Sequence, residues 1–201
     1  MFVDHATALF HPQPDLSNFL LRGLGRLAFP IFAWFLAEGC RRTHDLPGYL
    51  KRLFLFALAA QLPFSLAFGR AGGSVILTLF LAGSAVSLYE SAREHVPAPV
   101  ALLPTVIPAL IAHWTDSDYS YWGVLLVLAL YLCGDNKAAK LFCAAAVLFA
   151  LYRNIYAVFA CLSLLLLSRY SGERGSGSKW FFYIFYPAHL LVLFFIRLSI
   201  P

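Results

Sequence analysis

RGLGRLAFPIFAWFLAEG, residues 22–39, is the stretch that decides the fold. At about 1.5 Å of rise per residue it is long enough to cross a hydrocarbon core of about 30 Å as a helix. Yet Arg22 and Arg26 stand at one end and Glu38 at the other. An ionised side chain inside a membrane costs about 3 kcal/mol, so its presence there points to a function. Arg22 and Arg26 are four residues apart and share one helical face. Pro30 lacks an N–H, frees a carbonyl and predicts a kink near mid-membrane. GLGRLA, residues 23–28, has the outline of a dinucleotide fingerprint, but no strand precedes it and the match is discarded.

Working outward, the whole chain has the same character. Of its 201 residues 61% are hydrophobic and 12% charged, with a mean hydropathy of +0.74. Soluble domains carry roughly 25% charged residues, so this is an all-α, polytopic membrane protein and one integral domain. The net charge of +5 sits between apolar runs, where membrane orientation accounts for it and nucleic-acid binding does not. Cys40, Cys133, Cys143 and Cys161 form no CxxC pair, so neither a metal site nor a disulfide framework is indicated.

Apolar runs predict helices at Phe19–Cys40, Tyr49–Phe68, Val75–Ala92, Pro97–Ala112, Tyr121–Cys133, Ala138–Tyr152, Ile155–Ser168 and Trp180–Leu198. That makes about eight spans plus a short N-terminal helix in MFVDHATALF, which reaches only about 15 Å. Either the native start lies upstream, or this is a half-helix whose N-terminus is taken up by the bundle, with Glu38 as a candidate acceptor. One set of alternate loops holds ten basic residues: Arg41, Arg42, Lys51, Arg52, Arg93, Lys137, Lys140, Arg169, Arg174 and Lys179. The other set holds Arg70, Arg153 and Arg197. The first set is therefore expected on the cytoplasmic side. The loop HWTDSDYSYWG, residues 113–123, falls outside, where its aromatic residues suit an interfacial belt or line a substrate path.

Helical rise then sets depths. Asp4, His5, Arg26, Gln61, Tyr186 and His189 fall in one middle band, with Glu38 and Arg52 nearer the cytoplasm. Polar groups at one depth on separate helices suggest a lined cavity. Asp4 and His5 point about 100° apart on their helix, so Asp4 is free to pair with Arg26 or Arg22 while His5 serves as a base. An arginine close by suits a developing oxyanion.

The pair Asp4-His5, the stretch 22–39, RRTHDLPGYLKRLFLFALAAQLPFSLAFG (41–69), YWG (121–123), GERG (172–175) and WFFYIFYPAHL (180–190) resemble the TraX family of integral membrane proteins over nearly the whole chain. The family is named for the pilin acetylase of conjugative plasmids. The resemblance implies a multi-pass protein of the bacterial inner membrane, in contact with lipid, that moves an acetyl group from acetyl-CoA to an acceptor amine such as a pilin N-terminus, or to a hydroxyl. It implies that some of Arg41, Arg42, Lys51, Arg52, Arg174 and Lys179 hold the phosphates and adenosine, since clustered cations suit phosphate. Arg22, Glu38 and Gln61 would line the path of the reacting arm. His5 or His189 would be the base, Arg26 would meet the oxyanion, and His189 or Tyr186 would protonate or orient a reacting group. The chain departs from the family in its short first helix. The rival class is a proton-coupled transporter or a non-catalytic assembly protein, because intramembrane Asp, His, Glu and Arg also serve relays.

Overall fold

The structure, a computed structural model, describes residues 1–173 and 179–199. Among them there are helices and turns and no strand. The helices are α1 Phe2–Phe10, α2 Leu16–Gly25, α3 Ala28–Arg42, α4 Leu46–Phe68, α5 Val75–Arg93, α6 Ala98–Ala101, α7 Val106–Trp114, α8 Ser120–Leu132, α9 Lys137–Tyr152, α10 Tyr156–Ser168 and α11 Lys179–Ser199, with a 3₁₀ turn at Leu103–Thr105.

Their ends follow from local chemistry. Asp15 caps α2 by accepting from the Asn18 N–H at 2.7 Å, Asp45 caps α4 from the Gly48 N–H at 2.8 Å, and Asn136 caps α9 from the Ala139 N–H at 3.0 Å. Gly69 closes α4 at φ +64°, a left-handed conformation that costs glycine little.

Four stretches are long and apolar enough to cross a membrane: Leu16–Arg42, Leu46–Phe68, Val75–Arg93 and Phe181–Ser199. The first contains α2 and α3 together. The apolar stretches Ala98–Trp114, Ser120–Leu132 and Tyr156–Ser168 are shorter than the roughly 20 residues a perpendicular crossing needs. Six of the eight expected helices are present as single helices, whereas Phe19–Cys40 is divided at Arg26 and Leu27 and Pro97–Ala112 is a short helix, a 3₁₀ turn and α7, and fewer of them have membrane length than the sequence count supposes.

The loops gather at two ends. At the basic end Arg41 donates to the Gly134 carbonyl at 2.6 Å, Arg42 to the Gly172 carbonyl at 2.5 Å and Lys137 to the Tyr170 carbonyl at 3.0 Å. At the other end the α4–α5 and α7–α8 loops pair through Gly73 N–H to Thr115 O and Asp118 N–H to Gly73 O, both 2.9 Å. Between the ends, small residues let helices approach: Ala33, Ala37, Ala57, Ala60, Ala82 and Ala85 are fully or almost fully buried.

In place of a kink at Pro30, the helix is interrupted earlier, at Arg26 and Leu27, where α2 stops and α3 has not begun. The reason is the proline ring itself. It clashes with the carbonyl four residues back, which is that of Arg26, so the ladder breaks there and Pro30 sits in the first turn of α3, where no N–H is needed. The Arg26 N–H is left shared between the carbonyls of Arg22 at 3.2 Å and Gly23 at 3.0 Å.

Candidate functional site

A cavity of about 420 Å³ opens at the end of the bundle away from the basic loops. Its wall includes Asp4 and His5 of α1, Arg22 and Gly25 of α2, Arg26 in the break, Phe29, Phe64, Phe68, Arg70, Asp118, Tyr119 and Tyr152. Asp4 and His5 diverge as adjacent helical residues must. Asp4 Oδ1 lies 2.8 Å from Arg22 Nη1, and Asp4 Oδ2 lies 3.8 Å from Arg26 Nη1. Arg22 also donates to the Asp4 carbonyl at 3.2 Å. The closer partner of Asp4 is therefore Arg22, which leaves Arg26 the less neutralised of the two.

His5 turns toward α11. Its Nδ1 lies 2.9 Å from His189 Nε2, and His189 Nδ1 lies 2.8 Å from the Phe185 carbonyl. A carbonyl only accepts, so His189 carries its hydrogen on Nδ1 and, when neutral, offers a lone pair at Nε2. His5 then donates from Nδ1, which leaves its own Nε2 unprotonated. The two ring planes are within 4° of one another at a centroid separation of 5.2 Å, the arrangement of an in-plane N–H···N bond. His5 lines the cavity and His189 does not. His189 is thus placed to fix the tautomer and direction of His5. Tyr186 stands edge-on to both rings, at 5.4 Å from His189 and 6.2 Å from His5, with its hydroxyl buried near Ser74.

Arg26 lies over the rings of Tyr152 at 5.7 Å and Tyr156 at 5.8 Å, a favourable seat for a guanidinium. Its Nε is buried with no hydrogen-bond partner, and the Tyr152 hydroxyl stands beside that of Tyr119. An unpaired donor in a cavity wall is costly unless a ligand oxygen meets it. Three arginines, Arg22, Arg26 and Arg70, face two aspartates, Asp4 and Asp118, among the described wall residues, so the wall favours an anion or an oxyanion.

Tyr119, Asp118 and Arg70 are site residues that sequence reasoning missed. The 113–123 loop does place Trp114, 79% exposed, outward as a belt residue should be. Tyr119 instead turns inward and stacks on Phe29 at 3.6 Å and 5°. The loop does this through positive φ at Asp116, Tyr119 and Ser120, a strained backbone of the kind found at functional sites. Asp118 pairs with Arg70, whose guanidinium also lies 5.1 Å from the Phe64 ring centre. Burial raises the Asp118 carboxyl above its ordinary range, and the Arg70 cation beside it pulls the other way. Two aspartates in an aromatic loop were the available signal.

The remaining expected residues lie elsewhere. Gln61 ties down the α4–α5 loop, donating to the Gly72 carbonyl at 2.9 Å and accepting from the Ser74 N–H at 3.0 Å. Glu38 neither lines the cavity nor takes up the N-terminus. It is buried at the basic end, paired with Lys140, with Arg42 Nε at 3.0 Å and with Arg41 Nη1 at 3.6 Å. Ten residues of α3, about 15 Å, separate it from Ala28 in the cavity wall. Arg52 is exposed on α4 near that end, and Arg174 lies outside the described residues.

One substitution tests the seating of α1. A Cβ on Gly25 would come within 2.3 Å of Asp4 Cβ, so Gly25→Ala must push α1 away. Any activity of this cavity is expected to fall about 10²-fold, as displacements near 1 Å do, with membrane insertion retained. An assay of fractionated membranes against wild type checks both.

No solved structure matches the chain. A protein of Dichelobacter nodosus described as a probable fimbrial assembly protein, FimC of serogroup H1, is 31% identical over 227 residues, covering 96% of this chain and 89% of that protein. The family model described as TraX protein matches residues 1–197, and with the architecture and the Asp4-His5 site above, the chain belongs to the TraX family.

Proposed function

We propose that the protein is an acetyl-CoA-dependent acetyltransferase of the bacterial inner membrane, acting on an acceptor amine such as a pilin N-terminus, or on a hydroxyl. The observation that carries the reading is the pairing of an imidazole with an open Nε2 and a guanidinium with an unpartnered Nε in one cavity wall. His5 Nε2 takes the proton of the acceptor as its nitrogen or oxygen attacks the thioester carbonyl. Arg26, with the Tyr152 hydroxyl, meets the oxyanion that develops. When the C–S bond breaks, His5 returns its proton to the departing sulfur, leaving acetylated acceptor and free thiol. His189 holds His5 in the required tautomer throughout, Asp4 and Arg22 brace α1 against α2, and Tyr186 packs behind the imidazoles. The family resemblance implies that Arg42, Lys51, Arg52 and Arg174 hold the phosphates of the acetyl donor, whereas the cavity opens at the other end of the bundle and its own cations are Arg22, Arg26 and Arg70.

On this reading the basic end faces the cytoplasm, and the shorter helices complete eight passes together with their flanking loops. Purified protein given labelled acetyl-CoA and a peptide with a free N-terminus is expected to yield acetyl-peptide and an equal amount of free thiol. Failure of the folded protein to bind acetyl-CoA removes the reading. The description of the Dichelobacter relative as a fimbrial assembly protein is compatible with a second one, an assembly protein without chemistry. That protein would co-purify with pilin and release no thiol.

A further inference from the structure

Tyr119 holds a left-handed backbone at φ +67° and ψ −6°, between Asp116 at φ +45° and Ser120 at φ +47°. Bulky residues rarely adopt that conformation, and it persists only where the surrounding contacts over-determine it. Here they do. Asp118, one residue before, is fixed at three points: its N–H donates to the Gly73 carbonyl at 2.9 Å, its carbonyl accepts from the Thr78 hydroxyl, and its carboxylate pairs with Arg70. The Tyr119 carbonyl accepts from the Gly123 N–H at 3.0 Å. Gly123 closes the YWG motif, and a Cβ there would stand 2.5 Å from Thr78 Cγ2, 3.2 Å from Phe29 Cζ and 3.3 Å from Tyr119 Cβ. The glycine thus makes room for the Tyr119 ring to lie flat on Phe29, in the first turn of α3.

This backbone carries the Tyr119 hydroxyl into the cavity wall, beside the Arg26 guanidinium and the Tyr152 hydroxyl. The Tyr152 ring stands edge-on to that of Tyr119, at 6.5 Å and 88°, and Arg26 lies over the Tyr152 face at 5.7 Å. A guanidinium only donates, so the Tyr119 oxygen accepts from Arg26. Two neighbouring phenols spend one O–H on each other and leave one over. We propose that Tyr119 is a positioning residue of the cavity: accepting from Arg26 and donating to Tyr152, it frees the Tyr152 O–H and turns it, with Arg26 Nε, toward one point. Resting on the acetyl-transfer reading, that point is where the thioester carbonyl oxygen gathers charge, and each hydrogen bond of the chain strengthens the next. The Tyr119 ring keeps its place by stacking, so its hydroxyl is left for this task.

Tyr119→Phe removes the hydroxyl and keeps the stack on Phe29. In the full-length protein, given labelled acetyl-CoA and a peptide with a free N-terminus, it is expected to lower kcat about 10- to 10²-fold with KM for both substrates unchanged. A donor in direct contact with the oxyanion is worth more, about 10²- to 10³-fold, and that is the loss expected of Tyr152→Phe. Tyr119→Phe combined with Tyr152→Phe should lose no more than Tyr152→Phe alone, because both break one chain. Tyr121→Phe, in the same loop and outside the cavity wall, is expected to keep the wild-type rate. The tie is also read without turnover: Tyr119→3-fluorotyrosine gives a fluorine resonance that is expected to shift when Tyr152→Phe is added. Wild-type kcat in Tyr119→Phe overturns the role, as do losses that multiply in the double variant or a resonance that Tyr152→Phe leaves in place. A wild-type protein that releases no thiol sinks the acetyl-transfer reading, and the role of Tyr119 falls with it. The turnover of the unaltered chain tells the two failures apart.

Discussion

Replacing His5 by alanine is expected to lower acetyl transfer by about 10²- to 10⁴-fold, the usual cost of removing a positioned base, in a protein that still folds. His5 makes one side-chain hydrogen bond, to His189, and its ring otherwise meets Phe68 at 5.3 Å and Tyr186 at 6.2 Å. Loss of one hydrogen bond between membrane helices costs only about 0.6 to 2 kcal/mol. Stability and turnover should therefore separate cleanly. Detergent-solubilised His5→Ala should unfold within a few degrees of wild type while releasing almost no thiol. His189→Ala removes the acceptor that fixes the His5 tautomer, and should also cost turnover without touching the cavity wall. A well-folded His5→Ala protein with near-normal turnover would show that the base is another group.

The largest stability effect is expected at the opposite end. Lys140 is 4% exposed, its ammonium is paired with Glu38 and lies 5.2 Å from the Trp34 ring centre. Glu38→Ala removes the carboxylate shared by Lys140, Arg42 and Arg41, and leaves a buried ammonium with an aromatic face alone. Breaking a buried pair from one side costs about 3 to 5 kcal/mol. Glu38→Ala with Lys140→Met removes both charges and should recover most of that loss, because no buried ammonium is then left without its carboxylate. Thermal unfolding of the wild type, both single variants and the double variant closes the cycle. Additive losses would mean that Glu38 and Lys140 do not stabilise one another. Because Arg41 also reaches exposed Asp135 at 2.8 Å and holds that carboxyl below its usual range, the cluster ties α3 to the α8–α9 turn as well as to α9.

Much of this was legible in the sequence for a simple reason. Apolar length, loop charge and helical rise act locally, and they sufficed to separate the two ends and to bring Asp4, Arg22, Arg26 and His5 together. Glu38 was read at the right end and given the wrong role, because depth alone does not reveal a partner: Lys140 was counted only as a loop charge, yet its long side chain reaches back into the bundle. Tyr119 was read as a belt residue because nothing in its neighbours announces the positive φ that turns it inward. The break at Arg26 needed only the four-residue reach of the Pro30 ring, which sequence does contain. Gln61 looked like a site residue for its polarity, and its amide instead serves the turn that follows α4.

The His5 to His189 hydrogen bond joins residues 184 apart in the chain, one on the first helix and one on the eleventh. At a ribosome's pace of about 5 to 20 residues per second, roughly 10 to 40 s pass between the making of the two imidazoles. During that interval α1 waits in the membrane without the partner of its imidazole. On the acetyl-transfer reading, a chain released early carries the arginines and the cavity floor but no oriented base, so biosynthesis itself would keep the unfinished protein silent.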